Sequence, residues 1–299
     1  MQRREFIRDC GAGAFILCGS VSAFSQTSSA KSSGKTARIC VSSWSLHNLF
    51  TATHEEKAPP ISGTPLSALD FPEMIADRYH VHNVEIVSPH FESTGAAYIR
   101  DFKSRLARAH SRLVNVPIDL DELWNQPALS ATDPKMREKA VSLYSKWIGI
   151  ASELGSDCVR CDPGKVNPAD PSPTIESYRA LVALGRSKNV RVIVENHGGA
   201  VSAHPEELAK ILKASGAGAL PDFGNFPNDE ARQTGLRLLF PLAPVLAHAK
   251  LSPDRFDFAR CMQIAKETGF KGLFSVESGS RGDPYEAVQQ VVDELLKYL

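Results

Sequence analysis

Long apolar runs are missing from this chain: nowhere do about eighteen consecutive apolar residues occur, so no membrane-spanning helix is expected. Cysteine is sparse, 6 in 299 residues, which excludes a fold held mainly by disulfides. Neither sign of charge is in excess, because Lys and Arg total 34 and Asp and Glu total 34. A nucleic-acid binder normally carries a basic surplus that neutralises phosphates, so that class starts at a disadvantage. No nucleophile elbow, P-loop or zinc-protease motif occurs. Hydrophobic residues, by contrast, make up 42% of the chain, enough for a sizeable core and too many for disorder as the main state.

The N-terminus reads as an address. Arg3-Arg4 precede Phe6-Ile7, and a soft, Gly- and Ala-diluted apolar run extends from Gly11 to Phe24. Paired arginines before such a run resemble a twin-arginine export signal, with a Sec signal as the alternative. Val21-Ser22-Ala23 has the small-x-small form of a cleavage site. The expectation is a signal over 1–25, a flexible lead-in over 26–37, one domain over 38–299, and a periplasmic or secreted mature protein. Cys10 and Cys18 would leave with the signal. Twin-arginine cargo folds before export, so a weakly held Mn²⁺ could be loaded away from copper and zinc, which win on intrinsic affinity.

From Arg38 onward, short β-branched runs alternate with longer helical patterns. Strands are predicted at 39–44, 84–87, 113–118, 158–161, 190–195, 218–222, 244–250 and 272–277. Helices are predicted at 66–79, 95–109, 134–154, 174–187, 205–214, 229–240, 256–268 and 283–299. Asp133-Pro134, His204-Pro205 and Asp283-Pro284 mark helix starts, with proline at the first helical position. Eight such units fit a (β/α)₈ TIM barrel of about 250 residues. The competing doubly wound sheet lacks a G-x-G-x-x-G run after its first strand. In a barrel, chemistry sits at the C-terminal strand ends.

Four of those ends carry residues able to bind a metal. Glu195, Asp222, His248 and Glu277 close strands five to eight, separated by 27, 26 and 29 residues, about one strand–helix unit each. Alternation puts Glu195 on the side of Ile193, Asp222 with Leu220, His248 with Leu246, and Glu277 with Ser275 and Leu273. Three carboxylates converging on one point repel unless a cation joins them. Three oxygens and an imidazole suit one divalent ion, Mn²⁺ foremost, with Co²⁺, Mg²⁺ or Zn²⁺ as alternatives. Taken singly, a strand-end carboxylate can equally be a helix cap and a lone histidine a core residue.

The run Val194-Glu195-Asn196-His197-Gly198-Gly199, then Asp222-Phe223-Gly224-Asn225, His248-Ala249-Lys250, and Glu277 with Gly282-Asp283-Pro284 resemble the sugar phosphate isomerase/epimerase group of xylose isomerase-like TIM barrels over roughly residues 38–299. The resemblance implies one divalent metal on Glu195, Asp222, His248 and Glu277, with Glu195 and Glu277 also serving as acid and base. It implies a carbohydrate substrate whose C–H beside a carbonyl is deprotonated to a metal-stabilised enediolate. Isomerisation, epimerisation and β-elimination share that step. Some ketose 3-epimerases of the group carry His, Glu and Arg where this chain has Asn225, Val201 and Asp254. These departures point away from free-ketose 3-epimerisation and leave a lyase or dehydratase of an oxidised sugar or glycoside open. An apurinic endonuclease-like phosphodiesterase of the same superfamily would need more histidines than His248. A non-catalytic carbohydrate-binding barrel is the remaining alternative. No nucleic acid and no stable membrane association are expected, while an oligomer is possible.

Further polar groups cluster at the same end. Asn196 and His197 follow Glu195 and are candidates for substrate hydroxyls or for a loop cap. Asn225 follows the metal aspartate, and Lys250, on the side of His248, can point inward. Trp44 and His47 follow strand one, where an aromatic wall for a sugar ring is plausible. Glu85 and Arg160 either contact substrate or pair with each other. Cys158 and Cys161 are three apart on a strand, so they face opposite sides and read as packing residues rather than a zinc or redox pair. The polar insertion at 54–64 is expected to be a mobile loop over the mouth.

Overall fold

The computed structural model describes residues 34–279 and 282–299. The expected signal and residues 26–33 of the lead-in lie outside them. Eight short strands alternate with helices: β1 (Ile39–Ser42), β2 (Asn83–Glu85), β3 (Arg112–Ile118), β4 (Cys158–Cys161), β5 (Arg191–Glu195), β6 (Gly218–Leu220), β7 (Leu246–Ala249) and β8 (Leu273–Val276). All the pairings are parallel, in the order β6-β5-β4-β3-β2-β1-β8-β7. The remaining seam, between β6 and β7, is joined by a single bridge at Asp222 and His248. There His248 N–H donates to the Pro221 carbonyl at 2.8 Å, and Phe223 N–H donates to the His248 carbonyl at 3.2 Å. The barrel predicted from the strand–helix alternation is what forms.

Around it lie α1 (Phe71–Tyr79), α2 (Ala96–Arg108), α3 (Pro134–Leu154), α4 (Ser172–Ser187), a short α5 (Gly199–Ala203), α6 (Pro205–Ser215), α7 (Asp229–Leu239), α8 (Phe258–Glu267) and α9 (Pro284–Tyr298). The proline start signals hold at Pro134, Pro205 and Pro284. Asp133 and Asp283 accept backbone N–H bonds from Lys135 at 3.0 Å and Tyr285 at 2.8 Å, satisfying donors the helix leaves free. Among the described residues, no helix is long and apolar enough to cross a membrane.

One helix expectation needs correction. The first helix begins at Phe71 rather than 66, because Ser67 and Asp70 close a side-chain ring and Leu66 N–H is drawn to the Leu49 carbonyl at 2.8 Å. Pro72 then falls in the first turn, where its missing N–H costs nothing. Ahead of β1, Lys35 Nζ donates to the Leu296 carbonyl at 2.6 Å, and Arg38, at the start of the domain, donates to the Gly272 carbonyl at 2.9 Å.

Strand alternation divides the core in two. Outward residues such as Val41, Val84, Val159, Val194, Phe274 and Val276 pack beneath the helices. Inward, Cys40, Val114, Cys158, Ile193, Leu220 and Leu246 form an apolar layer inside the barrel. Two residues further along their strands, the same side carries Ser42, Arg160, Glu195, Asp222 and His248, all buried. The apolar layer is therefore a floor beneath a polar layer. Cys158 joins the floor while Cys161 packs outward, as expected of packing cysteines.

Candidate metal and substrate site

The polar layer converges on His248. Its Nδ1 lies 3.2 Å from Glu195 Oε1, 3.5 Å from Asp222 Oδ2 and 3.5 Å from Glu277 Oε2. Pairing of Asp222 with His248 and of His248 with Ser275 sets these side chains at one depth. Glu277, one step above β8, is held by its N–H on the Ala249 carbonyl at 3.1 Å. Each of the four residues offers a ligand atom, and these atoms all lie within 4.8 Å of one another. Such a group could hold a metal ion.

Asp222 supplies the sharpest test of fit. Its Oδ1 accepts the N–H groups of Gly224 at 2.7 Å and Asn225 at 2.9 Å, fixing the carboxylate. Its Oδ2 is buried without a well-formed hydrogen bond, although the Lys250 ammonium stands 2.9 Å away. That oxygen faces the Lys250 ammonium and the His248 imidazole, so it stands where positive charge is favoured and a divalent ion would share it with them. The wider charge count agrees. Glu85, Asp119, Glu195, Asp222 and Glu277 gather around the fixed cations Arg160 and Lys250 and the imidazole of His248. Even with His248 protonated, two negative charges are left over, which one divalent ion would balance.

These contacts shift the titrations. Burial alone would push His248 down, but Glu277, Glu85 and Glu195 outweigh it and hold the imidazole well above its ordinary range. Burial would raise Glu195 and Glu85, yet His248 reverses both, and each stays below the usual carboxylate value. For Asp222, burial is likewise overcome, chiefly by Lys250. Lys250 itself, 2.6 Å from Glu277 Oε2, is held above its usual value by Asp222 and Glu277 against the effect of burial.

The other predicted site residues divide into those at the cavity and those behind it. A cavity of about 810 Å³ opens above the cluster, and Glu195, Glu277, Lys250, Arg160, His197 and Trp44 are on its wall. Asn225 donates to Glu195 Oε1 at 2.9 Å, so it positions that carboxylate. Asn196 is fully buried, accepting from Asp222 N–H at 2.7 Å and donating to the Asp222 carbonyl at 3.2 Å. It is the loop cap rather than a substrate contact. His47 also differs from its expected place in the wall: it is buried, bonded through Nδ1 to the Trp44 carbonyl and stacked on the Trp44 ring at 4.6 Å.

Glu85 and Arg160 do not pair. Glu85, wholly buried and away from the cavity, takes the far side of His248, its Oε1 3.0 Å and Oε2 3.2 Å from Nε2. Asn115 Nδ2 donates to the same carboxylate at 2.9 Å. Arg160 instead bridges Asp119 and Glu195, with NH1 3.3 Å from Glu195 Oε2. An acceptor on Nε2 keeps that nitrogen protonated and aims Nδ1 at the three carboxylates, so that loss of the Nδ1 proton would leave the lone pair where a metal-binding histidine uses it. The insertion at 54–64 is irregular chain, anchored through Glu55 N–H on Asn48 Oδ1 at 2.8 Å.

Asp119, Trp124 and Trp147 also line the cavity and were not foreseen. Asp119 follows Ile118, the last residue of β3, so the strand-end rule that found Glu195 would have found it too. The tryptophans carried no comparable signal beyond their scarcity, 3 in the chain.

Fold and site together define a (β/α)₈ barrel with a buried carboxylate–histidine cluster at the C-terminal strand ends. Residues 81–298 match the xylose isomerase-like TIM barrel family, and the chain belongs to that family. Comparison with curated protein sequences finds no match. Among solved structures, D-allulose 3-epimerase from Methylomonas sp. is 13% identical, with a TM-score of 0.68 over 88% of this chain and 98% of that one. A xylose isomerase-like TIM barrel protein from Mycobacterium smegmatis in complex with magnesium is 14% identical, with a TM-score of 0.62 over 87% of this chain and 96% of that one. A D-tagatose 3-epimerase-like protein is 17% identical, with a TM-score of 0.61 over 87% and 97%. Identities this low carry the fold and no more.

Proposed function

We propose that the protein is a divalent-metal-dependent isomerase or epimerase of a sugar or keto-sugar, exported by the twin-arginine route. The observation that carries this reading is the division of labour within the cluster. Glu195 and Glu277 line the cavity, while Asp222 and His248 sit beneath it, wholly buried. Two carboxylates from strands flanking β6 and β7 can thus meet a substrate that the other two residues cannot touch. Epimerase names among the structural neighbours agree with the reading.

A divalent ion held by Glu195, Asp222, His248 and Glu277 would supply Lewis acidity that lowers the pKa of a C–H flanked by a carbonyl and a hydroxyl. Mn²⁺ is the first choice, with Co²⁺, Mg²⁺ or Zn²⁺ able to use the same donors. Glu195, kept ionised by His248 and Arg160, is oriented by Asn225 to accept the carbon-bound proton. Glu277, which takes up a proton from solvent through the cavity in each turnover, delivers it from the other side, and Glu195 releases the proton it accepted back to solvent. Lys250 and His197 present N–H groups at the cavity wall to substrate oxygens, His197 being held by Asp162 with its pKa raised. A second reading, a non-catalytic carbohydrate-binding barrel, draws on Lys250 as an internal counter-ion to Asp222 and Glu277.

Metal content of the mature chain, measured by mass spectrometry beside Asp222→Ala and His248→Ala, separates the two. About one ion per chain, lost in both variants, supports the enzyme; none after loading with any of these metals gives the site to the second reading. Solvent deuterium should then enter a keto-sugar beside its carbonyl, and Glu195→Gln and Glu277→Gln should each abolish turnover in a folded protein. Full turnover in either variant sinks the two-glutamate mechanism. Retention of an Arg3→Lys, Arg4→Lys precursor in the cytoplasm tests the export route, and unchanged export would refute it.

A further inference from the structure

The cavity above the carboxylate–histidine cluster does not end at that cluster. A second cavity, of about 400 Å³, adjoins it, and the two share Asp119, Leu120, Trp124 and His197 as a common wall. The larger alone, at about 810 Å³, lies in the upper part of the range of about 300–1,000 Å³ that houses drug-sized ligands. One hexose positioned at Glu195 and Glu277 leaves the second cavity empty.

The lining says what belongs there. Leu123, Tyr144 and Val166 give the second cavity an apolar side, while Asn125, Gln126 and Asp162 give it planar hydrogen-bonding groups. An aromatic face next to amides and carboxylates suits a pyranose ring, whose C–H face stacks while its hydroxyls are bonded in plane. Lys165 and His197 also line this cavity, but His197 is already paired with Asp162, and a phosphate would still meet the carboxylates of Asp119 and Asp162, while a lipid chain would strand the amides. Trp124 stands between the cavities with 58% of its surface exposed, its ring 6.1 Å from that of His197. Trp44, Trp124 and Trp147, the 3 tryptophans of the chain, all line the larger cavity. Large aromatic faces left open in a concave wall mark a binding surface.

Building on the isomerase or epimerase reading, we propose that the substrate is disaccharide-sized. Its reducing-end unit lies at the metal cluster, and its second ring lies in the cavity beyond Trp124 and His197. Val166 lines only that second cavity, so filling it there leaves the metal end untouched.

The test is isothermal titration of the Mn²⁺-loaded mature chain with lactulose against D-fructose, and with cellobiose and maltose against D-glucose. At least one disaccharide should bind about tenfold more tightly than its own reducing-end monosaccharide, a difference of about 1.4 kcal/mol. Val166→Trp should remove that preference and leave monosaccharide affinity within about twofold, with Trp124→Ala as a second variant that also removes it. If no disaccharide exceeds its monosaccharide, or if Val166→Trp preserves the preference, the second-ring site is overturned. Deuterium exchange in the same samples separates this from the parent reading. Exchange without a disaccharide preference refutes the second-ring site alone. A preference without exchange in any sugar refutes the isomerase reading alone.

Discussion

Replacing Glu85 by glutamine tests whether a residue with no access to substrate sets the metal affinity. Its carboxylate is wholly buried and spends its acceptors on His248 Nε2, at 3.0 and 3.2 Å, and on Asn115 Nδ2 at 2.9 Å. Glutamine keeps the volume and one acceptor, but it removes the charge and turns a donor toward one of two groups that are already donors. His248 then loses the contact that fixes its ring and directs Nδ1 at Glu195, Asp222 and Glu277. Loss of such an outer partner typically weakens metal binding by about 10–100-fold, or about 1.4–2.7 kcal/mol. Competition against a chelator of known affinity, read by metal mass spectrometry, measures it directly. A thermal melt in excess chelator serves as the control for folding, with a drop of a few degrees expected from one charged hydrogen bond. If the variant folds and binds metal as tightly as the parent chain, Glu85 does not orient His248 and the reasoning fails.

Further outcomes follow from the same geometry. In the chelated chain, the raised pKa of His248 gives stability that is complete below about pH 6.5 and is lost as pH rises through the folded-state value. The lowered values of Glu85 and Glu195 give stability present above about pH 4.5 and lost as pH falls through the folded values, so the melting temperature should decline on both sides. A melting temperature that climbs steadily into the alkaline range would contradict the His248 assignment. Metal loading requires a neutral imidazole and should release about one proton at pH 7, read by calorimetry in buffers of different ionisation enthalpy; no release would mean that His248 is not a ligand. Metal at a hundredfold excess over its Kd should add about 2.7 kcal/mol and raise the melting temperature by roughly 5–10 °C, and a melt indifferent to chelator would remove the site. Gly235→Ala should cost about 1–3 kcal/mol by urea unfolding, because a Cβ there would strike the Phe226 ring; an unchanged midpoint would show that ring free to move.

Strand-end residues were readable because their physics is local and periodic. The spacing of Glu195, Asp222, His248 and Glu277 equals one strand–helix unit each time, and the side each shares with Ile193, Leu220, Leu246 and Ser275 needs only the alternation of a strand. Glu85 was misread for the opposite reason. A register shift between Val84 and Glu85 brings Asn115 opposite it, and its chief partner, His248, is on β7, separated from β2 in the sheet by β1 and β8. Neither a bulge nor a contact across the barrel interior leaves a spacing in the sequence. Asn196 was ambiguous because an amide beside a strand-end glutamate can cap a loop as readily as bind a hydroxyl, and only the positions of Asp222 N–H and its carbonyl decide. Leu123 closes the single 3-10 turn Asp121–Leu123 and Trp124 lies just beyond it, a stretch too short for any periodicity to indicate which way a side chain faces.

The seam between β6 and β7 bears on how the molecule breathes. Every other neighbouring pair of strands in the ring is paired at two to four positions, whereas this pair meets at the single bridge of Asp222 and His248, two of the four candidate ligand residues. An ion clasped by those side chains would rivet the hoop at its one thin joint. Local opening there would part the ligands in the same motion that uncouples the strands. Under the proposed function, readiness of the site and mechanical closure of the ring would be one equilibrium, and loss of the ion would slacken the barrel at that seam.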